Sequence, residues 1–257
     1  MGATVSVLGR ETWILLAAGA VSAGLAGVIA WFSRHREAEA EDVTIGFLGP
    51  SLAALYLLVL ALALATEWQT IGTAQQAVSN EAVAVQQVYW SASGLPPAAG
   101  DTLRAQVRGY LATVLHHDWP QMEHGTLDSL SLTQLTAMST STLQLDTSTS
   151  SAADAQEYAT GQLSALASAR AARENAAESR LPVGLLAAVI ATSAIVSVFP
   201  FAGGIKRART PVSVAIVQAA LVAIAVVVIF QLNNPFTGPL ATSAGPLATV
   251  AAEIGVH

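Results

Sequence analysis

Apolar positions along this chain follow two different rhythms. Four stretches are apolar at nearly every position: residues 12–32, 45–66, 182–204 and 211–232. Each reaches the roughly 20 residues that a helix needs to cross a bilayer. None contains Asp, Glu, Lys, Arg or His. Between the second and third stretches the rhythm changes. Residues 67–181 mix polar and apolar positions at steps of three and four, the spacing of helices with one buried face.

This pattern predicts an all-α integral membrane protein. Four transmembrane helices form two hairpins, at 12–66 and 182–232, and a helical soluble domain at 67–181 is inserted between spans two and three. A C-terminal tail occupies 233–257. The first apolar run is too long for the core of a signal peptide, and Arg34 and Arg36 follow it rather than precede it. It is expected to be a retained span.

Within the central domain, Trp68, Ile71, Gln75, Val78, Ala82, Val85 and Tyr89 alternate by three and four. That is a heptad seam. No helix breaker separates it from span two, so one long helix is expected to leave the membrane carrying a stripe that needs a partner. "SGLPPAAGD" then turns the chain, and Asp101 is the expected N-cap of the next helix. Pro120 is expected to end that helix just after Trp119. The Ser/Thr-rich run at 138–154 reads as a loop or frayed helix, and a last soluble helix is expected at about 152–179.

Composition strengthens the membrane reading. Hydrophobic residues make up 53% of the chain and charged residues 11%, against about 25% charged in a soluble domain. A net charge of -6 argues against a nucleic-acid partner, because phosphate binding needs a basic surface. No cysteine is present, which excludes disulfides and thiolate chemistry. The short loops carry Arg34, Arg36, Lys206, Arg207 and Arg209. Under the positive-inside rule they lie in the cytoplasm of a plasma-membrane protein, with the central domain outside.

Candidate chemistry is sparse. There is no phosphate-binding glycine loop, serine elbow or HExxH, so an enzyme is not expected. Uncharged spans also argue against proton-coupled transport. A pore needs less: a neutral constriction can gate and charge at the mouths can select. Span two is the candidate lining, with Gly49, Pro50, Tyr56, Glu67 and Glu81 as pore or selectivity positions. The run "VLHHDWPQMEH" gathers His116, His117, Asp118, Glu123 and His124. Consecutive helical residues point about 100° apart, so at most His117 and His124 converge, and a zinc site wants three or four ligands. No cofactor is expected.

Five segments in order resemble the bestrophin-like membrane proteins, a bacterial and plant family. They are "GFLGPSLAALYLLVLALAL", "EWQT…NEAVAVQQVYWSASGLP", "RGYLATVLHHDWPQM", "RAARENAAESRLP" and "NNPFTG". The resemblance runs from Arg34 to about Gly245. It implies a four-span helical fold. It also implies kinship with bestrophins, which are pentameric anion channels with a helical domain between spans two and three. Bestrophins hold that domain in the cytoplasm, whereas the loop charges here place it outside. The positions carried over are Glu81, Tyr110, Trp119, Pro120, Arg170, Arg173, Pro235, Phe236 and Gly238. Their expected roles are structural: Arg170 and Arg173 pairing with Glu81, and "NNPFTG" ending span four.

Two functions fit these observations. One is a homo-oligomeric, ion-conducting channel lined by span two. The other is a non-conducting sensor or scaffold whose outer domain binds a ligand or partner. In both, the lipid bilayer is the first partner.

Overall fold

The computed structural model of the chain describes residues 42–124, 126, 130–202, 209–238 and 240–256. Every regular element among them is helical. They are α1 (Asp42–Ser91), a 3-10 turn (Ala92–Gly94), α2 (Pro97–Thr113), a π-helical turn (Val114–Asp118) and α3 (Trp119–Glu123). There follow α4 (Leu130–Leu143), α5 (Ser150–Glu178), α6 (Val183–Ala202), α7 (Arg209–Leu232) and α8 (Gly245–Ile254). The expected first span at 12–32 lies outside the described residues. So do Arg34, Arg36, Lys206 and Arg207, on which the orientation rests.

The described chain divides into two units. The first contains α1 through Glu67 together with Leu181–Asn233, which includes α6 and α7. Its three helices pack through Ala63, Val189 and Ile229 in one cluster and Tyr56, Val196 and Val222 in another. Gln218 on α7 donates to the Val196 carbonyl at 3.1 Å, and Asn233 accepts the Leu181 N–H at 2.7 Å. The outer surface is apolar, with Leu57, Leu58, Leu62, Leu221 and Ile224 all more than half exposed.

Two stretches among the described residues are long and apolar enough to cross a bilayer. One lies within Gly49–Gly94 and the other within Ser150–Phe199, with mean hydropathies of 1.9 and 2.2. Only 11% and 22% of these windows are buried. A helix in the core of a soluble protein would be mostly buried, so the apolar surface is turned outward, as lipid requires. Val217–Leu232 is the apolar C-terminal part of α7. The fold is therefore all-helical, with two membrane-competent stretches among the described residues; the first expected span lies outside them.

The second unit contains Trp68–Arg180 and the residues from Asn234 on. Its core joins Val78, Val85 and Val88 of α1 to Leu103, Val107, Tyr110 and Leu111 of α2. Leu135 and Met138 of α4 and Leu163 and Leu166 of α5 complete the centre. Several local expectations are corrected here. The seam on α1 is rotated: Ile71, Val78, Ala82 and Val85 are buried, but Trp68 and Gln75 face outward, and Glu67 and Glu81 lie on the buried face instead. Asp101 does not cap α2. The helix starts at Pro97, whose fixed φ suits a first position, and Asp101 pairs with Arg104 at 3.2 Å within it.

Pro120 does not end the helix either. A proline inside an α-helix clashes with the carbonyl four residues earlier. Here the chain widens into the π turn just before it, with the Trp119 N–H bonding the Val114 carbonyl, and continues helically to Glu123. The Ser/Thr-rich run is helical at both ends, up to Leu143 in α4 and from Ser150 in α5, and Thr140 returns its hydroxyl to the Thr136 carbonyl at 2.9 Å. Only the residues between α4 and α5 are irregular.

The expected tail at 233–257 is built into the unit. Phe236, Leu247, Val250, Ala251 and Ile254 belong to the core cluster. Arg108 Nε donates to the Ile254 carbonyl at 2.8 Å, and Gln86 Nε2 donates to Glu253 at 2.8 Å. These bonds hold α8 against α1 and α2.

Candidate functional site

The centre of the second unit holds charged side chains that are almost fully buried. Glu81 on α1 is 0% exposed and Arg173 on α5 is 1% exposed. Glu81 stands on a helix face otherwise occupied by Ala and Val, and Arg173 on one that also buries Leu163, Leu166 and Arg170. Arg173 Nε donates to Glu81 Oε2, and its Nη2 reaches Oε1 at 3.3 Å. The Tyr110 hydroxyl on α2 donates to the same Oε1 at 2.6 Å. Arg173 Nη1 lies 2.7 Å from Met122 Sδ on α3. Asp118, in the π turn, brings its Oδ2 to 3.9 Å from Arg173 Nη2.

Five elements thus meet around the Glu81–Arg173 pair. The electrostatics follow from the burial. Desolvation opposes the charged form of Arg173, but Glu81, Tyr110 and Asp118 together outweigh it and the pKa is raised. Burial pushes the Tyr110 hydroxyl well above its ordinary range, and the Glu81 carboxylate pushes it the same way. A fixed guanidinium, a bidentate carboxylate and a neutral phenol form a closed network. Its chemistry is that of a clamp.

Arg170, expected to pair with Glu81, does not. One turn before Arg173, it donates from Nε to Ser131 Oγ on α4 at 2.9 Å and pairs with Glu174 at 2.7 Å. That i,i+4 spacing was visible in the sequence. Ser131 and Met122 carried no signal, since neither type marks a buried polar contact. Asp118 could be found only through its place before Trp-Pro.

The remaining family positions lie beside the clamp. Trp119 and Phe236 meet edge to face with ring centroids 5.5 Å apart. Pro235 is buried and its carbonyl accepts the Thr242 N–H at 2.8 Å. Asn234 Oδ1 accepts the Phe236 N–H at 3.1 Å, and Gly238 adopts φ 92°, a conformation that favours glycine. The "NNPFTG" segment therefore does more than end α7: it turns the chain so that Phe236 reaches Trp119. Pro120 itself is exposed.

The candidate pore positions fall in other places. Gly49 faces Phe199 of α6, where a Cβ would stand 3.1 Å from the ring. Pro50 is exposed within α1, and Tyr56 is buried among Val196 and Val222. Glu67 is 1% exposed. The structure does not bring Glu67 together with Glu81, and neither carboxylate is at the surface. His116, His117 and His124 are exposed, and His117 lies within 3.5 Å of Gln121 Nε2 and 3.7 Å from Asp118 Oδ1. Among the described residues no group of three His, Cys, Asp or Glu side chains could hold a metal.

A membrane helix pair, a helical unit clamped by Glu81 and Arg173, and a Pro-Phe return segment define a helical membrane protein of one recognisable class. A family model described as Bestrophin-like domain matches residues 15–247. The chain belongs to the bestrophin-like family. No curated protein and no solved structure matches it significantly.

Proposed function

We propose that this protein is a homo-oligomeric, non-enzymatic membrane channel in which the apolar part of α1 from each copy faces a shared ion pathway. The observation that carries this reading is α1 itself. It is one helix from Asp42 to Ser91 and passes from an outward-facing apolar stretch into the second unit. A gate at the end of such a helix can be worked by whatever moves the helix.

Family membership supports a membrane role. Glu67 and Glu81 take no part as acidic rings in this reading, because both are buried within the chain. Exposed leucines such as Leu58 and Leu62 supply an apolar constriction instead, which gates by dewetting.

The purified oligomer in planar bilayers is expected to carry ion currents. Leu58→Lys is expected to shift the reversal potential in a salt gradient toward anions. Silent bilayers from an intact oligomer would overturn conduction and favour the non-conducting sensor or scaffold.

A further inference from the structure

The face of α1 that points away from its own core is unusual for a helix in water. From Trp68 to Trp90 the helix carries a single charged residue, Glu81, and that one is buried. The exposed residues are Trp68, Gly72, Gln76, Val83, Gln87 and Trp90, among others. At about 100° per residue these six fall within an arc of roughly 100°, opposite the buried stripe. Trp68 is 69% exposed, Val83 52% and Trp90 59%. Average surfaces are rich in charge, whereas faces that bind other proteins lose charge and gain aromatic residues.

Gly72 on this face leaves room for a neighbour, as do Gly109, Gly161 and Gly184 elsewhere. No heavy atom lies within 4 Å of where its Cβ would be. A glycine inside a helix costs about 0.5–1 kcal/mol relative to alanine, and no described residue uses the space it leaves. Close approach of another helix would use it.

Charge indicates which partner fits. The second unit exposes Asp101, Asp146, Asp154, Glu157 and Glu178, and the chain carries a net charge of -6. Two copies repel one another over most of that surface. They can approach where charge is absent, and an uncharged face is complementary to itself.

We infer that the Trp68–Trp90 face of α1 is where copies of this chain meet, helix beside parallel helix, with Gly72 and Val83 at the contact. This deepens the oligomeric part of the proposed function by naming the interface. It also differs from the expected seam, most of which is buried in the chain's own core.

The absence of native cysteine makes a direct test simple. Val83→Cys and Gly72→Cys are introduced singly into the full chain, and membranes are oxidised before denaturing electrophoresis. Ala172→Cys, exposed on α5, serves as the control. Disulfide-linked dimers from the α1 variants but not from the control are the expected result. Val83→Glu is expected to lower the oligomeric mass in native mass spectrometry while α-helical content is kept. Uncrosslinked Val83→Cys and Gly72→Cys in a chain whose native mass is oligomeric would overturn the interface and leave the oligomer standing. A monomeric native mass would overturn both.

Discussion

Arg173 of α5 closes on Glu81 of α1 across 92 residues of sequence, with both side chains at 1% exposure or less. Removing one member leaves the other charge buried without its partner, which costs about 3–5 kcal/mol. Arg173→Met and Glu81→Leu are each expected to lower the unfolding midpoint of the full chain in detergent. The double variant is expected to lose less than the sum of the two, because an apolar pair can replace a buried ion pair at little net cost. Additive losses in thermal or denaturant melts would mean that the two side chains are not coupled.

Much of the helical layout was legible from apolar spacing, and α5, α6 and α7 begin and end close to where that spacing places them. The rotation of the α1 stripe was not. A carboxylate in a heptad is assigned to the solvent unless its partner is known, and the partner of Glu81 lies four helices away. The resemblance supplied Arg173, but nothing in the spacing separated it from Arg170. The π turn escaped for a related reason: Pro120 reads as a helix end unless the chain can widen before it. The C-terminal segment escaped because Pro235 and Gly238 break its pattern after α7 and its one helix, Gly245–Ile254, is short.

Tyr110 gives a prediction in pH. Its folded pKa lies well above the ordinary tyrosine value of 10.0, first because it is buried and then because it faces Glu81. The folded state therefore holds this proton more tightly than the unfolded chain does. Stability from this group is complete below about pH 10 and is lost as pH rises from there toward the folded pKa. Tyr110→Phe is expected to weaken the fold at neutral pH by about 1.5–3 kcal/mol, the worth of a hydrogen bond to a charged group. The variant's melting curve is also expected to depend less on pH in the alkaline range. A parallel alkaline decline in both proteins would count against this role.

Gly100 tests a close approach. A Cβ there would press into the Ala92 carbonyl oxygen, a backbone atom that cannot step aside. Gly100→Ala is expected to destabilise the chain by about 1–3 kcal/mol through overpacking. Gly161→Ala on α5, where no atom lies within 4 Å, is expected to be neutral or to stabilise by about 0.5–1 kcal/mol. Equal melting points for the two variants would refute the crowding.

Phe236 tests the return of the chain after α7. Phe236→Ala removes the ring that meets Trp119 and is expected to cost about 3–5 kcal/mol. Trp119 should then become accessible, so fluorescence quenching by a soluble quencher is expected to rise above wild type. Replacing the other four tryptophans with Phe isolates the signal. Unchanged quenching would mean that the edge-to-face contact does not shield Trp119.

The contribution of residues 234–256 to the core of the second unit bears on how the protein is made. A ribosome delivers α1 through α5 first, yet the core they begin lacks Phe236, Leu247, Val250 and Ile254 until α7 has also been synthesised. Domains usually fold as units while the chain emerges. Here completion waits for α6 and α7, so the second unit cannot close before the apolar helices that separate its two parts have emerged. Maturation of the unit thus reports that the second hairpin has been made.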